Sequence, residues 1–187
     1  MSTPRRNNRT RLIEAAAKMA YRQGFRQTTL ADIATEAKIP LGNLYYYFKS
    51  KDDIGQAIVD QRLAQLRASC RSWDEAGSPK QRLCACVDTV LENSEALAQG
   101  GCPIGTLCTE LHKDGGSLAR EASVLFAEHL KWIETQFRAS GRTKDARSLS
   151  VHLLSALQGI SVLAHGLNDP NLVVSEAASL KEWINGL

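Results

Sequence analysis

Residues Ile39 to Lys51 read I-P-L-G-N-L-Y-Y-Y-F-K-S-K, and this stretch decides the fold. Pro40 fixes φ and lacks an N–H, so a turn ends there and a short helix can begin. Leu44 and Phe48 lie one turn apart and point into a small core, whereas Asn43, Tyr46 and Tyr47 fall on other faces and Tyr45 near an edge. Three tyrosines and an asparagine in one turn exceed what a plain core helix needs. A phenol offers its hydroxyl to a phosphate and its ring to a sugar or a thymine methyl, and Asn pairs bidentately with adenine. Gly42 lets the backbone approach a groove wall, and Lys49 and Lys51 sit where ammonium groups and helix N–H donors can hold a phosphate. The bland alternative is a tyrosine cluster capping a small domain, with two solvated lysines.

Charge favours the first reading. Of the 187 residues, the first 51 hold ten Lys or Arg against Glu14, Asp32 and Glu36, a balance of +7, while the other 13 basic and 17 acidic residues leave −4. A basic module on a mildly acidic body is the footprint of nucleic-acid binding. The hydrophobic share of 43% and charged share of 23% are those of a globular protein. No apolar run approaches the ~20 residues of a membrane span, so no membrane partner is expected. The opening M-S-T-P-R-R-N-N-R-T-R has no apolar h-region, and the expected location is cytoplasmic.

Outward from the central stretch, Met1 to Asn8 reads as a basic arm. Arg9 to Gln23 carries Leu12, Ala16 and Met19 on one stripe, and Gly24 ends that helix. Thr28 or Thr29 caps a second helix with Leu30, Ile33, Ala34 and Ala37 at helical spacing. Lys38 to Pro40 turns into the tyrosine helix. Two short helices across a tight turn, braced by an earlier one, make a helix-turn-helix.

The pattern T-T-L-A-D-I-A-T-E-A-K-I-P-L-G-N-L-Y-Y-Y-F-K-S-K-D-D-I resembles the DNA-binding module of the TetR family of bacterial transcriptional regulators, over roughly Arg9 to Ile58. The histidine usual in that family's aromatic triplet is a tyrosine here. The resemblance implies phosphate contact from Thr28 or Thr29. It places Leu41, Gly42, Asn43, Tyr45 and Tyr46 along a DNA groove, Tyr47 on phosphate and Lys51 on the backbone. It also implies a small-molecule inducer bound in the larger domain, shifting the linking helix so that DNA is released.

The expected fold is all-α: an N-terminal three-helix helix-turn-helix DNA-binding domain, 1–51, and a larger helical ligand-binding and dimerisation domain, 52–187, with about nine helices in all. In the second, Asp52 to Ala68 reads as a helix, Trp73 to Pro79 as a loop and Arg82 to Ala98 as a helix broken at Gly100-Gly101. A shorter helix starts at Pro103, and a long one spans Ser117 to Ala139, where Phe126, Trp132 and Phe137 are candidates for an inducer pocket or for plain core. Leu149, Leu153, Ala156, Ile160 and Leu163 repeat at spacings of 4, 3, 4 and 3, as do Val173, Ala177, Leu180, Ile184 and Leu187. These seams serve either a thick internal core or a homodimeric four-helix bundle, which the resemblance also implies.

Five cysteines, an odd number, argue for reduced thiols. Cys102 precedes Pro103 and falls at a helix N-cap, where a thiolate is favoured, so it is a candidate sensor of electrophiles or oxidants with Cys108 as partner, or else a small residue at a tight turn. Cys108 and His112 share a helix face, a pairing too weak to assign a metal, and Cys84 and Cys86 lie ~200° apart on a helix. No metal and no cofactor are expected. No phosphate loop, H-E-x-x-H or G-x-S-x-G occurs, so no enzyme is expected. The function read is a ligand-responsive repressor on a pseudo-palindromic double-stranded DNA operator. The alternative is a helical adaptor whose basic end binds an acidic protein.

Overall fold

The computed structural model describes residues 4–187, among which there are ten helices and no strand. Helix α1, Pro4–Gln23, takes in residues 4–8 of the expected arm, and Met1 to Thr3 lie outside the described residues. Proline at the first helical position lacks only an N–H that would have had no partner in the helix.

Helices α2, Leu30–Glu36, and α3, Leu41–Tyr47, have seven residues each, too few to be stable alone. Thr29 closes a capping box with Asp32 at the start of α2. The turn between them places Lys38 in the left-handed region at φ 52°, and Pro40 is the N-cap of α3. Leu12, Ile33, Leu44 and Phe48 are buried, as α1, α2 and α3 pack on one another. Helix α4, Lys51–Trp73, is longer than the expected Asp52 to Ala68.

The stretch 82–98, expected as one helix, is parts of two. Helix α5, Pro79–Glu92, starts earlier because Ser78 forms a capping box with Gln81 and Pro79 fits the first turn. Asn93 leaves helical geometry, its amide donating to the Thr89 carbonyl at 2.7 Å, and α6, Ser94–Gly100, follows. Gly101 at φ 72° ends it. Then come α7, Pro103–Asp114, α8, Gly116–Ala139, α9, Ala146–Leu167, and α10, Asn171–Gly186.

The chain packs as two compact units. The first holds residues up to Ala64 with Thr106–Leu125; the second holds Gln65–Gly105 with Phe126–Leu187. The second unit's core joins α5, α9 and α10 through Leu83, Val87, Leu153, Val173 and Ile184, all fully buried. This corrects the expected dimer seam. Leu153, Ile160, Val173, Ala177, Leu180 and Ile184 are buried inside the chain, at 8% exposure or less, and keep little surface for a second copy. Leu149 and Ala156 are partly buried against the same core, and only Leu163, 55% exposed, stays outward. A 4-3 seam marks the face of deepest burial, which here is intramolecular. Helix α9 also departs from the expected absence of a long apolar run: among the described residues it alone has the length and composition to cross a membrane. Eight of its residues are buried in this core, as in the core helix of a globular fold.

Candidate nucleic-acid interface

Helix α3 is built so that one side chain anchors it and the rest face outward. Leu44 is fully buried, and the Phe48 N–H closes on the Leu44 carbonyl at 2.9 Å as the chain turns extended. Asn43 is exposed, Tyr45 and Tyr46 are 47% and 61% exposed, and Leu41 is 40% exposed. Tyr47 is half-buried and meets Tyr46 edge-to-face at 5.1 Å, which fixes both rings. A Cβ built on Gly42 would meet nothing within 4 Å, so the backbone there is open to an approaching surface. Leu41, Gly42, Asn43, Tyr45 and Tyr46 therefore share the outer side of one short helix.

The two threonines separate. Thr28 is buried, and its hydroxyl donates to the Gly24 carbonyl at 2.8 Å, so it shapes the α1–α2 turn and is withdrawn from the phosphate role expected of it. Thr29 is exposed at the start of α2, but its N–H and hydroxyl both donate to Asp32 Oδ2, at 2.9 and 2.7 Å. The Thr29 hydroxyl, then its N–H, hold the Asp32 carboxyl below the usual aspartate range. A phosphate at this end would have to displace that carboxylate.

The lysines are also engaged. Lys49 Nζ donates to the Tyr45 carbonyl at 2.8 Å, tying the last turn of α3. Lys51 Nζ donates to the Arg26 carbonyl at 2.7 Å and sits 4.9 Å from the Phe25 ring centre. An ammonium has three donors, so either can still reach a phosphate, but Lys51 is first a brace of the α1–α2 turn. Asp53 accepts the Lys49 and Ser50 N–H groups at 2.8 and 3.1 Å, and the Lys49 N–H is the main reason its carboxyl is lowered.

Sequence reasoning missed the bracing by α1. Arg11 Nη2 donates to the Ala37 carbonyl at 2.6 Å, completing the end of α2, and Lys18 pairs with Glu36 at 2.6 Å. Arg9 lies over the Phe48 ring at 5.3 Å. Part of the module's positive charge thus holds the reader together. The spacing of Arg11 and Lys18, two turns apart, could have shown those two to be on one side, but not which groups lay opposite.

In the second unit, Phe137 is fully buried against Trp183, which makes it core and removes it from the expected pocket lining. Trp132 lies 4.9 Å from Trp73, with its N–H on Asp74 at 3.1 Å, and Phe126 is partly buried on the same core. Cys102 precedes α7 as expected: its sulfur accepts the Gly105 N–H and the Gln158 amide, both at 3.4 Å. Cys108, in the first unit, is buried and donates to the Ala122 carbonyl at 3.3 Å. His112 Nδ1 is bound to the Cys108 carbonyl at 2.8 Å and Nε2 to Ser123 at 3.2 Å, as a structural histidine.

A braced pair of short helices, the second offering asparagine, tyrosines and an open glycine outward, defines a helix-turn-helix DNA-binding protein. The sequence profile described as bacterial regulatory proteins, tetR family, matches residues 12–58. An uncharacterized HTH-type transcriptional regulator in the lacX 3′ region of Lactococcus lactis subsp. lactis is 26% identical over 183 residues, 94% of this chain and 92% of that protein. The HTH-type transcriptional repressor KstR2 of Mycobacterium tuberculosis is 37% identical over 78 residues, 41% of this chain and 39% of the repressor. A TetR transcriptional regulator from Chloroflexus aurantiacus superposes with a TM-score of 0.86 at 20% identity, covering 97% of this chain and 96% of that one. The regulator FadR of Bacillus subtilis, solved in complex with stearoyl-CoA, gives 0.73 at 19% identity over 94% and 97%. At such identities the solved structures carry the fold alone. Residues 12–58 carry the helix-turn-helix module of the tetR family of bacterial regulatory proteins. The relatives it matches are named as HTH-type transcriptional regulators and repressors.

Proposed function

We propose that this regulator is a repressor that binds a pseudo-palindromic operator as a homodimer in the cytoplasm and is released by a small molecule or a reactive electrophile. The observation that carries the reading is the outward set Asn43, Tyr45 and Tyr46 on a helix anchored by the buried Leu44. Groups so presented read a groove at their full worth, ~1–3 kcal/mol for each good base contact. The repressor KstR2 and the ligand-bound FadR give the family precedent for repression and ligand binding.

A second copy has a seat. Val151, Val162, Leu163 and Leu167 on α9 are 43%, 69%, 55% and 68% exposed, and Val174 on α10 is 50% exposed. Exposed Ser155, Gly159 and Gly166 lie between those of α9 and allow close helix approach. This stripe replaces the buried seam as the proposed dimer face. Two recognition helices on a two-fold axis then read half-sites about one helical turn apart or further.

For release, Cys102 is the thiol to test. Burial pushes Cys70 up to about 11 and raises Cys84 and Cys86 as well, which disfavours their thiolates. Addition of a quinone or aldehyde to Cys102 forms an S–C bond and gives up the thiol proton. The adduct displaces the Gln158 amide of α9, whose oxygen lies 2.2 Å from where a Cβ on Gly105 would be. Should Cys102→Ser release DNA as the parent does with quinones, aldehydes and hypochlorite, the electrophile branch falls and a non-covalent inducer remains.

The deciding experiment is selection of the purified protein on a random duplex library at physiological salt. A two-fold symmetric motif, weakened by about tenfold or more in Asn43→Ala and Tyr46→Ala, is the expected result. A dimer in solution that Val162→Glu with Leu163→Glu converts to monomer completes it. No enriched motif would favour the adaptor with an acidic protein partner.

A further inference from the structure

The α1–α2 turn is held by a residue far along the chain. The Glu110 carboxylate on α7 accepts the Phe25 N–H on Oε2 at 2.8 Å and the Arg26 N–H on Oε1 at 2.7 Å. Two adjacent backbone donors on one carboxylate fix both the distance and the tilt of the turn relative to α7. Glycine before them favours the approach: Gly24 has φ +90°, and a Cβ there would stand 2.9 Å from Glu110 Oε1.

The same two residues are gripped from α4. Lys51 Nζ takes the Arg26 carbonyl and lies over the Phe25 ring, and a Cβ on Gly55 would meet that ring at 2.8 Å and Leu118 at 2.5 Å. Within the turn, the Thr28 hydroxyl bonds the Gly24 carbonyl, and the next residue, Thr29, caps α2. The orientation of α2, and through the Lys38 turn that of α3, therefore begins at a peptide pair whose N–H groups belong to α7.

We infer that Glu110 is the positioning residue through which α7 sets the attitude of the recognition helix. Helix α7 is continuous from Pro103, beside Cys102, to the clamp about two turns on. A displacement of α7 at Glu110 would be felt at the Phe25 and Arg26 peptides through these two bonds. The inference rests on the reading of α3 as the operator reader. It goes beyond that reading in naming the contact through which α7 holds the reader.

The test uses the full-length protein, the duplex selected from the random library and a random duplex of equal length. Glu110→Gln keeps the size of the side chain but puts an amide N–H against one of the two backbone donors. Expected is faster amide exchange at Phe25 and Arg26, with Ile33 and Leu44 unchanged. Operator affinity should fall roughly tenfold while random-duplex affinity holds. Gly24→Ala should act in the same direction and be non-additive with Glu110→Ala, since the alanine then meets no carboxylate. Parental exchange at Phe25 and Arg26, or operator and random affinities falling together alongside the melting temperature, would overturn the inference in favour of a purely structural bond. If the parent selects no motif, the operator reading fails by itself, and amide exchange alone still decides whether Glu110 holds the turn.

Discussion

The reader helices α2 and α3 and the body helices α9 and α10 are stabilised by different physics. The reader consists of two seven-residue helices whose ends are completed from outside: Arg11 on the Ala37 carbonyl, Asp32 on Thr29, Lys49 on the Tyr45 carbonyl. The body helices run 22 and 16 residues and are secured by side chains with no surface left, such as Leu153, Val173 and Ile184. Directional bonds fix a geometry closely but each contributes little; apolar burial contributes much and tolerates small displacements. A surface that must match a groove needs the first, and a core that has only to hold together can be built on the second.

The body and its outer stripe should respond most unequally to truncation. Leu153→Ala should cost ~2–5 kcal/mol in denaturant unfolding, whereas Val162→Ala, nine residues on along the same helix, should cost under about 0.5 kcal/mol at dilutions where the proposed dimer has come apart. Equal costs would mean that the exposed stripe is already covered in the folded protein, by a partner stable enough to survive dilution.

Acid separates the two regions next. Burial lowers His129 to about 4, beside Cys86 at 3.5 Å and stacked on Trp73. Its unfolded value is near 6.5, so the unfolded chain binds the proton first, and stability falls as pH drops from about 6.5 to about 4. The full loss is on the order of 3 kcal/mol. The reader behaves otherwise. Asp32 and Asp53 are held below their ordinary value, so their contribution is complete above about pH 4 and is lost only as pH falls through the lowered values. His129→Phe should flatten the unfolding free energy between pH 4 and 6.5 and leave the drop below pH 4. A slope that survives the substitution would move the titration to another group.

The cap is a smaller lever on the reader. Thr29→Ala should cost about 0.5–2 kcal/mol and be felt first as local exchange in α2, with the amides of α9 unaffected. Loss spread evenly over both regions would show that the reader has no independent opening.

What the sequence made legible follows the same division. The helix-turn-helix was readable because its signals are local: Thr29 three residues before Asp32, Pro40 before an anchoring Leu44, tyrosines in one turn. The brace of Glu110 on Phe25 and Arg26 was not, since its partners are 85 and 84 residues distant and a glutamate on an exposed-looking face carries no mark of its target. Cys102 was placed correctly because Pro103 sets the helix start beside it. The dimer seam failed for a related reason. Periodicity finds the face of greatest hydrophobicity on α9 and α10, and a core takes that face before a partner can. Helix ends went astray at Pro79 and Asn93, where a capping box and an asparagine bond to the Thr89 carbonyl outweighed a continuous apolar pattern.

The smallest expected effect probes the comparison at matched positions. Each region has one residue other than glycine in the left-handed region: Lys38 at φ 52° in the reader and Asn168 at φ 49° at the end of α9. Asparagine adopts this conformation with little strain, but a lysine held there bears up to ~1 kcal/mol more. Lys38→Asn should therefore raise stability by several tenths of a kcal/mol up to about 1, and Asn168→Lys should lower it by a similar amount. A lysine kept at a strained turn, in an exposed groove that Thr35 and Leu41 also line, has a reason outside stability. If that reason is a phosphate, Lys38→Asn will weaken operator and random duplex alike and reduce the dependence of affinity on salt by about one ion, while the protein itself melts higher. A variant that gains stability with unchanged salt dependence would return the reader's strain to chance and remove Lys38 from the interface.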